Sequence, residues 1–210
     1  MDSAAGLRLK SCKPNALSRQ FMLPQGMAGA WVGRRMAFKN APMNRLAVEL
    51  LEPAADDAVL EIGFGPGIAI GLFARRAGFV AGVDPSSVML DQAARRNRAP
   101  IAAGKVELKL GSASHLPYPN GRFHKVCAIN SFHLWNDHER DLMEVRRVMR
   151  EGATPCLRMR LAKPRPLAAP GFSEAQIDAV SALVRGSGFS DLRVERRMAG
   201  RDTACLTARR

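Results

Sequence analysis

Three glycines at alternate positions, Gly63, Gly65 and Gly67, follow the acid Glu61, and a second acid, Asp84, stands about 20 residues past the first glycine. Each of these residue types has a chemical reason to be there. Glycine lets the backbone bend sharply and approach a ligand with no Cβ in the way. A carboxylate at Asp84 can accept both hydroxyl hydrogens of a ribose and disfavours a 2′-phosphate, which argues against an NADP-like ligand. The stretch VLEIGFGPGIAIGLFARRAGFVAGVD (59–84) therefore reads as a nucleotide-binding turn. The dinucleotide fingerprint G-x-G-x-x-G fails, because the third glycine would fall at Ile68 or Ile70. The phosphate-binding P-loop fails too, since no Gly-Lys-Ser/Thr follows. What remains is E-x-G-x-G-x-G, in which Glu61 can hold the turn or receive a cationic amino group.

Strand ends must position these residues. AVLEI (58–62) is an apolar run with one acid, typical of a strand buried on both faces. A helix is expected from Pro66 to Ala77, a strand over FVAGV (79–83), and a helix from DPSS (84–87) to about Arg98. Further strands are read at VELKL (106–110), HKVCAIN (124–130) and TPCLRMRL (154–161), with Pro155 at the start of the last. HERDLMEVRRVMR (138–150) puts Leu142, Val145 and Met149 on one helical face. SEAQIDAVSALVRGSG (173–188) reads as a helix, and DLRVERR (191–197) and DTACLTAR (202–209) as a hairpin. Upstream, residues 26–51 read as helix, break, helix, with Pro42 in the first turn of the second. The alternation predicts an α/β fold: a Rossmann-like seven-stranded, mostly parallel sheet with helices on both faces and a C-terminal antiparallel hairpin.

VLEIGFGPG with VAGVD resembles the first two motifs of class I S-adenosylmethionine-dependent methyltransferases. GSASHLPYPNGRFHKV (111–126), LMEVRRVMREGA (142–153) and the ending GSGFSDLRV extend the resemblance in family order, and it is nearest to the small-molecule, ubiquinone-biosynthesis-like branch. It implies S-adenosyl-L-methionine as cofactor, with Glu61, Gly63, Phe64, Gly65 and Gly67 facing its methionine end, Asp84 on the ribose and Pro85 beside the adenine. Ser112 and Ala113 match the adenine-contacting "DA" pair, although Ser112 replaces the usual aspartate. His124 replaces another common aspartate and Glu151-Gly152-Ala153 replaces "PGG"; both look structural. Asn130 and Ser131 match the position nearest the transferable methyl, so Asn130 is expected at the cofactor and Ser131 at the acceptor. His133 is the candidate base, because histidine titrates near neutral pH; the alternative is a histidine that packs or caps a loop. Trp135 and Trp31 are candidate acceptor contacts, each with core or surface packing as the plain alternative.

The chain of 210 residues suits one domain with an appendage: a basic N-terminal arm and helical lid over residues 1–45, and the methyltransferase domain over 46–210. The arm's methionines and aromatics could close over an apolar acceptor. No apolar run reaches the ~18–20 residues of a membrane span, and the N-terminus lacks a secretory apolar core. Cys12, Cys127, Cys156 and Cys205 form no CxxC pair, as in a reducing compartment, so a cytoplasmic location is expected. His115, His124, His133 and His138 lack metal-ligand spacing, and no metal is expected.

The net charge of +13 would attract nucleic acid or, transiently, an anionic membrane surface. No long basic stripe with interleaved aromatics occurs, so nucleic acid is less favoured than a small-molecule acceptor. NSFH (130–133) is not the N/D-P-P-Y/F tetrad of amino-methylating nucleic-acid enzymes. The alternatives carried are an RNA or protein methyltransferase and a non-catalytic S-adenosylmethionine-binding protein.

Overall fold

The computed structural model describes residues 25–161 and 171–210. Helix α1 (Gly26–Leu51) leads into β1 (Ala58–Ile62), α2 (Ile68–Ala74), β2 (Phe79–Asp84), α3 (Ser87–Arg96), α4 (Arg98–Ala102) and β3 (Val106–Leu110). After β4 (Phe123–Ile129), a 3-10 turn (Phe132–Leu134) precedes α5 (His138–Val148), β5 (Met149–Arg160), α6 (Glu174–Gly186), β6 (Ser190–Met198) and β7 (Asp202–Arg209). The strands form one sheet in the order β3-β2-β1-β4-β5-β7-β6. The first five in that order run parallel, and β7 lies antiparallel between β5 and β6. The expected Rossmann-like, mostly parallel sheet with a terminal hairpin is what the chain forms.

Side chains alternate between the two faces of each strand, which builds two cores. On one face Val59, Val80 and Cys127 meet Met43 and Leu51 of α1, Phe73 of α2 and Met89 of α3. On the other, Leu60, Val126 and Leu157 meet Leu142 and Val145 of α5 and Ile177 and Val180 of α6. Helix starts are held by side chains: Ser86 Oγ accepts from Met89 N–H, Asp137 accepts from Arg140 N–H, and Ser173 with Gln176 forms a reciprocal capping box.

Three expectations change. Residues 26–51 form one continuous helix, not two, with Pro42 inside it. An interior proline costs ~3 kcal/mol or more, but upstream of it Gly33 is buried in close contact with Met89 and Gln92 of α3, while Met43, Val48 and Leu51 are buried downstream, so both halves are held as helix against the body of the protein. The helix ends at Glu52, in the left-handed region with φ 42°, before Pro53. Strand β5 starts earlier than expected, at Met149, and Pro155 lies within it. The antiparallel register with β7 begins only at Cys156, so the proline's missing N–H falls just outside that ladder. The helix after β2 ends at Arg96, and α4 follows it as a separate short turn.

Candidate active site

The strand order reverses between β1 and β4, and ligands of such sheets bind beyond the carboxyl ends of the strands at that switch. The loop from Gly63 to Gly67 sits there, and all three glycines have positive φ: 76°, 51° and 74°. Their surroundings assign different jobs. A Cβ on Gly63 would stand 2.5 Å from Ser131 Cβ, and one on Gly67 would stand 2.6 Å from Ala93 Cβ, so these two allow close packing. A Cβ on Gly65 would meet nothing within 4 Å, so Gly65 faces open space.

The loop is braced from all sides. Gly63 N–H donates to Val83 O at 2.7 Å, and Ser131 Oγ donates to Ile62 O at 2.6 Å. From the end of α3, Asn97 Nδ2 donates to Gly67 O at 3.0 Å and Arg96 donates to Pro66 O. Asp84 accepts from Gly65 N–H at 2.8 Å and from Ser86 N–H at 2.9 Å. The second acid therefore holds the glycine turn open as well as facing the site. Each of its oxygens keeps a lone pair for a ligand hydroxyl.

Both carboxylates are buried, Glu61 at 2% and Asp84 at 6% exposure. Desolvation pushes the Glu61 carboxyl well above its ordinary range, and the Asp84 charge adds to that, while the Ile70 N–H opposes it. Burial also raises Asp84, against the pull of the Ser86 and Gly65 N–H groups. Glu61 Oε2 has no hydrogen-bond partner, a costly state for a buried polar atom. An unmet buried carboxylate oxygen beside an open glycine loop fits a ligand that brings a cationic nitrogen together with ribose hydroxyls. This donor set suits S-adenosylmethionine and has no phosphate-binding lysine.

The remaining expected residues divide. Phe64 turns its side chain into the core, 3% exposed, where a Cβ on Gly82 would stand 2.7 Å from its ring; only its backbone borders the loop. Pro85 is exposed beside Asp84, and Ala113 is buried next to the half-buried Ser112. Asn130 follows β4 with φ 55°, and its N–H donates to Arg158 O at 2.7 Å. Ser131 is buried, and its hydroxyl is spent on Ile62, which makes it a brace for the loop. Trp135 tilts against Phe132 at 4.9 Å between ring centroids and packs on the core. Trp31 is exposed on α1. His124 is structural: its Nδ1 accepts from Ala58 N–H at 2.9 Å.

His133 stands on the 3-10 turn after β4, edge-on to Phe172 with 6.2 Å between ring centroids. Desolvation, then the charges of Arg160 and His138, lower its pKa to about 4. His133 keeps an exposed surface, where the Arg160 guanidinium disfavours its protonation in the same direction as burial. It is neutral near pH 7 and able to accept a proton. Residues 1–24, and with them most of the basic arm, lie outside the described residues, as do 162–170. The braces Arg96 and Asn97 carried no sequence signal, because only the fold brings the end of α3 to the loop after β1. A small cavity lined by Leu142, Val145, Leu157, Val184 and Phe189 lies between the sheet and α5 and α6. It is apolar and remote from the carboxyl ends, so it is a gap in the core.

Residues 59–152 match the "Methyltransferase domain" family model. The chain is 28% identical over 183 residues to the "Uncharacterized methyltransferase YdaC" of Bacillus subtilis, covering 85% of this chain and 97% of that protein. It is 31% identical over 103 residues to the 2-methyl-6-phytyl-1,4-hydroquinone methyltransferase 1 of Oryza sativa, covering 47% of this chain and 29% of that one. A crystal structure of a SAM-dependent methyltransferase from Aquifex aeolicus superposes with a TM-score of 0.66 at 17% identity, over 79% of this chain and 88% of that one.

Proposed function

We propose that the chain is a class I S-adenosylmethionine-dependent methyltransferase, which the match to the methyltransferase family model and the YdaC relative supports, and that it methylates a small-molecule or lipid-like acceptor, as the ubiquinone-biosynthesis-like branch does. The observation that carries the cofactor half is Glu61 Oε2, buried and unpartnered beside an open glycine loop. Bound there, S-adenosylmethionine supplies an electrophilic methyl group to an acceptor placed in line with its sulfur. The protein's own residues then have defined tasks. Glu61 takes the cofactor's amino group, and the backbone at Gly63, Gly65 and Gly67, with that of Phe64, lets the methionine end approach. Asp84 takes the ribose hydroxyls, and Pro85, Ser112 and Ala113 border the adenine, with Ser112 donating or accepting without charge assistance. Asn130 follows β4 next to the methyl position and orients it.

Methyl transfer asks mainly for proximity and alignment. His133, neutral near pH 7, removes a proton only from an acceptor that carries one, such as a hydroxyl. Trp135 and Trp31 would supply apolar surface, and residues 1–45 would cover the acceptor. The rice relative acts on a hydroquinone by its name, which supports a small apolar acceptor, although this chain spans 29% of that protein. The net charge of +13 is the observation favouring an RNA acceptor instead.

The test is incubation with methyl-labelled cofactor and cell extract, followed by separation into small-molecule, lipid, RNA and protein fractions. Label in the small-molecule or lipid fraction is expected. Label in RNA or protein alone would overturn the acceptor class, and no label despite cofactor binding would leave a binding protein without catalysis.

A further inference from the structure

Arg158 on β5 is completely buried, at 0% exposure, yet its Nε, Nη1 and Nη2 atoms have no hydrogen-bond partner. A guanidinium carries five N–H donors and keeps its proton, so leaving it buried and unmet is costly. The Cys205 thiol lies beside it and interacts with its N–H groups, but sulfur is a weak acceptor and leaves the guanidinium's donors largely unmet. Glu195 shares its row of the sheet through Cys205, and that carboxylate is taken by Arg197 at 2.6 Å. Arg160 lies two residues on and on the same face, with its own Nε buried and unpartnered. Burial and the like charge of Arg201 push the Arg160 guanidinium below its ordinary range. Among the described residues, Arg158, Arg160 and Arg201 form no ion pair.

The position of this unmet charge gives it a purpose. Along the sheet order β2-β1-β4-β5, the carboxyl ends of the strands carry Asp84, then Glu61, then Asn130, then the two arginines, with Arg158 level with Ile129. A cofactor with its ribose at Asp84 brings its reacting end to β4, so the space over the end of β5 belongs to the other reactant. Arg158 is joined to Asn130 through the backbone, and Arg160 is close enough to His133 to influence its titration. We propose that Arg158 and Arg160 form a receptor for an oxyanion, a carboxylate or phosphate, carried by the methyl acceptor. The proposal rests on the methyltransferase reading above and narrows its acceptor to an acidic one. The cofactor's own carboxylate offers the same chemistry, so the test separates the two sources.

The full chain is compared with Arg158→Met and with Arg160→Gln, the second variant lying in a less buried place. Calorimetry measures S-adenosylhomocysteine and 5′-methylthioadenosine, which lacks the amino-acid part. At saturating S-adenosylhomocysteine it then measures octanoate, octyl phosphate and octanol. The natural sequence is expected to bind octanoate or octyl phosphate at least about tenfold tighter than octanol, and each substitution to erase about tenfold of that preference. Octanol and S-adenosylhomocysteine should change by less than about threefold. Equal binding of octanol and the oxyanion probes, or an oxyanion preference that survives Arg160→Gln, would overturn the proposal. So would weakened S-adenosylhomocysteine with 5′-methylthioadenosine spared, which assigns the arginines to the cofactor's carboxylate. If Arg158→Met does not fold, Arg160→Gln alone decides. If the natural sequence binds no S-adenosylhomocysteine, the methyltransferase reading fails, while the oxyanion preference is still read in its absence.

Discussion

Glu61→Gln keeps the size of the side chain and removes the charge that the fold leaves unmet. In the ligand-free protein Glu61 Oε2 is buried without a partner, and the Asp84 charge repels it. An unsatisfied buried polar group costs about 1–3 kcal/mol, so the substitution is expected to stabilise the ligand-free protein by that order. In a chain of this size each kcal/mol moves Tm by about 2–4 °C. The pH dependence has a definite sign. The folded Glu61 carboxyl titrates above its ordinary value of 4.5, so it holds its proton more tightly than in the unfolded chain. That contribution is present below the unfolded value and is lost as pH rises through the folded one. The natural protein should therefore lose ligand-free stability from about pH 5 upward, and the variant should lose less. Asp84, also raised, leaves a residual slope. Cofactor affinity moves the other way: losing a charge-assisted bond to an ammonium costs about 1.5–3 kcal/mol, or about 10- to 150-fold in Kd for S-adenosylhomocysteine. Thermal melts across about pH 5–8, with and without that ligand, read both effects. A variant that melts no higher than the natural protein and binds S-adenosylhomocysteine equally well would refute the reasoning.

Other substitutions separate packing from binding. Gly67→Ala places a Cβ 2.6 Å from Ala93 Cβ at φ 74°, and should cost about 1–3 kcal/mol for the clash in addition to about 1–2 kcal/mol for the left-handed backbone. Gly65→Ala meets nothing within 4 Å, so only the backbone cost of about 1–2 kcal/mol is expected, with a larger loss in S-adenosylhomocysteine binding; equal melts for the two variants would contradict the assignment. Asp84→Ala removes the acceptor of the Gly65 and Ser86 N–H groups, at about 1 kcal/mol for each bond, and should abolish the thermal shift given by S-adenosylhomocysteine. His133 titrates at about 4, so turnover should show no inflection from this group near neutral pH and should fall as pH drops toward about 4. A His133-dependent inflection at 6–7, absent in His133→Gln, would show that its neighbours do not act as described.

Much of the fold was legible because its signals are local. AVLEI and DTACLTAR mark strand segments that match the structure, since a strand buried on both faces must be apolar nearly throughout. Ser86 and Asp137 start helices that their side chains cap. At Pro42 local proline chemistry says break, whereas the close packing of the upstream half on α3 at Gly33 is a tertiary contact that no local pattern shows. The glycines around Phe64 point to the cofactor, but a bulky apolar side chain next to Gly82 gains more by filling the core, which leaves only its backbone at the loop.

The sequence alone determined the order of strands and helices, the glycine turn with its two acids, and the exclusion of a dinucleotide, because these depend on residue type and short spacing. Only the tertiary structure decided that Asp84 holds the Gly65 N–H, that Asn97 and Ser131 brace the loop, and that Glu61 is left with an unmet oxygen. It also decided that Arg158, on the strand beside Asn130, is buried with no carboxylate to pair it among the described residues. Those facts depend on burial and on groups far apart in the chain, and no local pattern records whether a charge that folding removes from water finds its counterpart.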